Sequence, residues 1–152
     1  MSYIEYTDLV SEFARRTRCN LETVRSVQKS SPDLEVYEVT QLINSMLGLL
    51  VFPQQTFIDS IPPKLLGELR GEGWPIPEIL GNYPQVKNIN QLVKYLRNAI
   101  THCNVKFIPD QDKQISGLEL WNINSKGRIT WRAKVSIDEI EKITEKFTAL
   151  LL

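Results

Sequence analysis

The chain contains a single histidine, His102, so one imidazole is available to move protons near neutral pH. It stands in the run Arg97-Asn98-Ala99-Ile100-Thr101-His102. Asn98 and His102 lie four residues apart and share one face of a helix. Arg97 and His102 lie five apart, about 140° around a regular helix, so they do not share a face. The two converge if the helix end unwinds, or if a second copy supplies the other half. In the second case the site lies between crossing or antiparallel helices of a dimer.

These residue types fit RNA cleavage. A 2′-hydroxyl attacking the neighbouring phosphate needs a base, an acid for the leaving 5′-oxygen and positive charge on the phosphoryl oxygens. Imidazole serves as base or acid, and guanidinium grips two phosphate oxygens while staying charged. Other chemistries fit less well. His102 has no adjacent carboxylate to orient it toward a serine, and Cys103 points about 100° away on a helix, which argues against a Cys-His dyad. The structural counterpart is a histidine bonding the last free carbonyls of its helix, with Arg97 on a solvated face.

Composition narrows the field. With one His and two well-separated cysteines, Cys19 and Cys103, the chain is a poor zinc binder and has no disulfide framework. No carboxylate-histidine cluster stands near Arg97 and His102 in sequence, so neither a metal nor another cofactor is expected. Lys plus Arg and Asp plus Glu both number 18, which weighs against attachment to nucleic acid by bulk charge. The second half is locally basic: Lys94, Arg97, Lys106, Lys113, Lys126, Arg128, Arg132 and Lys134 face only Asp110, Asp112 and Glu119. Lys94, Lys106 and Arg132 are the candidate contacts to an RNA backbone. The N-terminus is polar and acidic, unlike a signal peptide. Residues 39–58 carry no charge, but their apolar heart, 42–52, is too short to span a bilayer. A helix buried all round is expected there, in a cytoplasmic protein with free thiols and no membrane partner.

The elements that position the site follow from periodicity. Tyr6, Leu9, Val10, Phe13, Leu21, Val24 and Val27 recur at helical spacing, as one long helix or two pieces broken near Cys19-Asn20. Ser30-Ser31-Pro32-Asp33 reads as the start of a second helix that runs to Phe52 before Pro53. A proline- and glycine-rich stretch, 61–86, reads as a short helix over 64–70 and an extended loop anchored by Trp74 and Tyr83. The helix of the motif starts at Asn88 or Asn90, with Leu92, Val93, Leu96, Ala99, Ile100 and Cys103 as its apolar stripe. The period then falls to two. Ile129, Trp131, Ala133 and Val135 alternate with Arg128, Thr130, Arg132 and Lys134, and 115–123 is the hairpin partner. A last helix carries a capping box, Ser136 with Glu139, a staple, Val135 with Ile140, and a buried face of Ile140, Ile143, Phe147 and Leu150. The expected fold is mainly α: one domain over 1–152, a bundle of four to five helices with a small β-hairpin before the last. Asn44, in the middle of the charge-free helix, is expected to be buried, satisfied structurally or supporting the motif.

The segment 92–107, with its R-N-x3-H motif, resembles the HEPN family (higher eukaryotes and prokaryotes nucleotide-binding domains), whose hallmark is Arg, four to six residues, then His. The charge-free helix containing Ile43-Asn44-Ser45-Met46-Leu47-Gly48-Leu49-Leu50 is similar to the second helix of a bacterial HEPN subgroup. The hairpin with Trp121-Asn122 and Thr130-Trp131-Arg132 is similar to that of the same subgroup. The resemblance covers about residues 5–150. It implies a bundle that forms a homodimer, with two Arg-His motifs across one cleft. It further implies a metal-independent endoribonuclease of a toxin-antitoxin, phage-defence or abortive-infection system, with RNA as substrate and an antitoxin protein as a partner. By position, Arg97 would neutralise the phosphate, His102 would be the acid-base group, and Asn98 would orient the His or contact RNA. HEPN toxins paired with a nucleotidyltransferase antitoxin usually carry Tyr two residues after the His. Here that residue is Asn104, which removes support for regulation at such a tyrosine. The alternative is a non-catalytic HEPN module that binds a nucleotide, RNA or a protein, since fold alone does not choose.

The angular separation of Arg97 and His102 predicts a homodimer whose interface includes the helix ending at His102. Light scattering at micromolar concentration should return twice the 17.5 kDa chain mass; a monomer alone would refute it.

Overall fold

The structure, a computed structural model, describes residues 6–53 and 58–151, with side chains from Leu9 onward. The polar opening residues 1–5, and Gln54 and Gln55 of the charge-free run, lie outside the described residues. The elements run α1 (Tyr6–Ser30), α2 (Glu38–Val51), α3 (Leu66–Gly71), β1 (Glu78–Ile79), α4 (Ile89–Thr101), β2 (Val105–Pro109), β3 (Ile115–Ile123), β4 (Ile129–Ser136) and α5 (Ile137–Leu151).

α1 is continuous through Cys19-Asn20. Its end corrects one expectation. The Ser30 hydroxyl donates to the Ser26 carbonyl at 2.9 Å, and Ser31 N–H to the Val27 carbonyl at 2.9 Å. Spent on its own helix, Ser30 cannot cap the next one, and the chain turns through 31–37 before α2 begins. α2 packs against α1, α4 and α5, burying Leu42, Ile43, Met46, Leu49 and Leu50. It is not buried all round, because Thr40, Asn44 and Val51 are exposed. Asn44 is therefore hydrated and needs no buried partner, contrary to the expectation.

The larger correction concerns the sheet. The expected hairpin of β3 and β4 exists, but it is the centre of a four-stranded antiparallel sheet of order β1-β4-β3-β2. The fold is mixed helix and sheet rather than a bundle with a small hairpin. β1 is two residues long, and β2 is an edge strand that ends in Pro109, so neither shows a clean period of two in sequence. On one face Leu118, Leu120, Trp131, Ala133 and Val135 are buried, and α4 and α5 pack on the sheet. Across the other face the cross-strand row reads Lys106, Glu119, Lys134, Glu78, alternating in sign. Arg132 donates from Nε to Glu119 at 2.6 Å. The basic residues of this face thus lie among acidic partners. Ile129, expected inside, is exposed beyond the irregularity at Asn122/Ile123.

α4 starts at a true cap: Asn88 Oδ1 accepts the Gln91 N–H at 2.9 Å. Ile89, Leu92, Val93, Leu96 and Ala99 are buried, each large one contributing about 1.5–3 kcal/mol. Cys103 is exposed, not part of the stripe, since the chain has left the helix by then. The capping box of α5 forms as expected, with Ser136 N–H on Glu139 at 2.8 Å and Glu139 N–H on the Ser136 hydroxyl at 3.2 Å. Its buried face ends with Leu151, and Leu150 is exposed. Trp74 is buried and anchors the loop; Tyr83 is half-buried. No helix among the described residues is long and apolar enough to cross a membrane.

Gly117 sits where β3 meets the end of β4. A Cβ there would lie 2.6 Å from the Val135 carbonyl oxygen, a backbone atom that cannot swing away. Gly117→Ala should therefore destabilise the fold by about 1–3 kcal/mol, and urea denaturation should read it; wild-type stability would contradict this packing.

Candidate functional site

α4 is held over the sheet at two levels. At mid-helix the Tyr95 ring meets the fully buried Trp131 ring of β4, with centroids 5.3 Å apart. Nearer the end, Asn98 Nδ2 donates to Asn122 Oδ1 of β3 at 3.2 Å, and Asn122 Nδ2 donates to the Thr130 hydroxyl at 2.8 Å. Asn122 is buried, so this chain of amides satisfies a polar group in an apolar layer. Asn98 is thereby engaged inward, on the sheet. Asn122 and Thr130 were not identified as site residues from sequence. Asn122 did leave a signal, since it occupies the inward phase of Leu118, Leu120, Asn122, where a polar side chain needs a reason.

The helix ends in a Schellman arrangement. The Asn104 N–H bonds the Ala99 carbonyl at 2.7 Å, and the Cys103 N–H bonds the Ile100 carbonyl at 3.1 Å. Cys103 takes φ 57°, the left-handed conformation usually given to glycine. His102 is the C-cap residue, with φ −97° and ψ 10°, so it stands just outside the regular helix. The Asn98, Ala99 and Ile100 carbonyls are satisfied by backbone N–H groups. His102 spends its own N–H on the Asn98 carbonyl at 3.0 Å, and its exposed imidazole makes no hydrogen bond to the described residues. A histidine kept to cap carbonyls would show the opposite.

Below His102 lies a groove of about 460 Å³ lined by His102, Asn104, Ile123, Asn124 and Ser125. Arg97 is half-buried on α4 and already takes part in an interaction within the fold. Lys94, one turn earlier, is exposed beside a smaller groove with Asp59, Asn90, Gln91 and Tyr95. The remaining expected residues are not gathered here. Lys106 and Arg132 lie on the outer sheet face, away from α4, and Asn44 makes no hydrogen bond to Asn98 or His102. Among the described residues no group of three or more His, Cys, Asp or Glu side chains clusters as a metal site would.

The chain matches the HEPN pEK499 p136 family model over residues 1–152. The chain belongs to that family. No curated protein and no solved structure matches the chain. In this HEPN domain the sheet borders the candidate site, because the end of β3 and the turn after it line the groove beside His102.

If the amide chain positions the end of α4, Asn122→Ala should strand Asn98 and the Thr130 hydroxyl. The expected loss is about 1–3 kcal/mol of stability, measured by urea denaturation; an unchanged midpoint would show that the amides carry no weight.

Proposed function

We propose that the protein is a metal-independent endoribonuclease of a toxin or defence system, acting as a dimer in which Arg97 and His102 meet at a shared cleft. The observation that carries this reading is the state of His102. Its imidazole is exposed, unengaged among the described residues and set on a rigid helix end above an open groove. Family membership supports the same chemistry.

The reaction needs two proton transfers, and each chain has one imidazole. A cleft shared by two copies supplies both, one accepting the 2′-hydroxyl proton and the other protonating the leaving 5′-oxygen. Arg97 neutralises the phosphoryl oxygens as negative charge builds. Lys94, exposed one turn earlier on α4, extends the positive track along the RNA. Asn98 is a positioning residue, since its amide is engaged with Asn122. Lys106 and Arg132 would serve only RNA that wraps onto the outer sheet face. The pairing of Arg132 with Glu119 on that face favours the second reading, a non-catalytic module that binds a nucleotide, RNA or a protein.

Cleavage of mixed cellular RNA separates the two. The wild type should cleave in the presence of EDTA and leave 2′,3′-cyclic phosphate ends, because the internal 2′-hydroxyl is the nucleophile. His102→Ala and Arg97→Ala should each lower cleavage by roughly 100- to 10,000-fold. His102→Ala should leave the melting temperature unchanged, given its unengaged side chain. Equal cleavage by wild type and His102→Ala, or cleavage that stops with chelator and returns with Mg²⁺, would overturn the enzyme reading.

A further inference from the structure

We infer that the groove beneath His102 is a nucleobase subsite: Asn104 and Asn124 read the base of the nucleotide whose sugar-phosphate lies at His102. The inference rests on the ribonuclease reading for the identity of the ligand as RNA, and deepens it by naming where sequence preference arises.

Asn104 is fixed by its backbone, and Asn124 by what its side chain has already spent. Asn104 donates its N–H to the Ala99 carbonyl at 2.7 Å and accepts the Trp121 N–H on its own carbonyl at 3.2 Å. Its side-chain amide makes no hydrogen bond to the described residues, which leaves one donor group and one acceptor facing the same locality. Asn124 differs. Its Oδ1 accepts the N–H groups of Lys126 and Arg128, each at 3.0 Å, which locks the β3–β4 turn. That leaves its Nδ2 as a donor only. Ile123, exposed at 41%, adds an apolar patch to the same lining.

An apolar surface flanked by a donor-acceptor amide and a donor-only amide suits a nucleobase, which has a flat apolar face and an edge of fixed donors and acceptors. A phosphate would instead call for cations or several converging N–H groups, and the groove lining has no Lys or Arg. Because Asn104 follows His102 by two residues on the cap, base and reacting atoms are held by one rigid segment. Amide recognition of a base edge discriminates by roughly 5- to 100-fold.

The test is binding, so that it does not depend on turnover. The full chain is titrated with each of the four nucleoside 3′-monophosphates, read by calorimetry, alongside Asn104→Ala, Asn104→Asp and Asn124→Asp. Asn124→Asp keeps the oxygen that locks the turn and removes the donor. The wild type should prefer one base at least about fivefold. Asn104→Ala should flatten the preference, and the two Asp variants should change which base is preferred, whatever their added charge does to absolute affinity. Equal binding of all four nucleotides, no binding, or an unchanged preference in all three asparagine variants would overturn the inference. A wild type that cleaves RNA without base preference would overturn it while leaving the ribonuclease reading intact. Base-selective binding without cleavage would support the subsite and defeat the ribonuclease reading.

Discussion

The seating of α4 on the sheet is the contact on which the site depends. Its apolar side is fixed by Leu92, Leu96 and Ala99, all buried, and by the Tyr95 ring against Trp131. Its polar end is fixed by one amide chain, Asn98 to Asn122 to Thr130. Apolar burial is strong but tolerant of sliding, whereas a buried amide pair has a single satisfactory alignment. The amides therefore set the rotation and register of α4, and with them the direction of Arg97 and the position of the helix end.

That end is itself a device. Cys103 adopts a left-handed backbone at a cost of about 1–3 kcal/mol for a residue with a Cβ, offset by the two backbone hydrogen bonds that close the Schellman turn. The turn satisfies the Ala99 and Ile100 carbonyls, so the imidazole of His102 is not needed for them. It also redirects the chain into β2 within two residues, carrying Asn104 to the rim of the groove. A helix that simply frayed would present the same residues without a defined wall opposite them.

Much of this was legible in the sequence. The long α1, the Asn88 start of α4, the β3–β4 hairpin and the Ser136–Glu139 capping box follow from period and local chemistry, because each is decided by residues within a turn or a strand of one another. Three of the errors share one cause. Ser30 looked like an N-cap and bonds backward to Ser26; Asn44 sits in an apolar run and faces outward; Arg132 belongs to a basic stripe and is paired with Glu119 from the next strand. In each the residue type was read correctly, and a partner or a packing direction that sequence does not display changed its meaning.

By itself the sequence determined which groups are available: one imidazole, a guanidinium five residues before it, no histidine pair for a metal, and equal numbers of acids and bases. It also determined that the imidazole lies at a helix end, since apolar periodicity stops there. Only the tertiary structure decided that β2 and β1 complete a sheet, that Asn122 claims Asn98, and that a groove opens between the helix cap and the β3–β4 turn. The reason is separation along the chain. Local geometry is set by neighbours within a few residues, whereas Asn98 and Asn122 lie 24 residues apart and meet only when the whole apolar layer is packed.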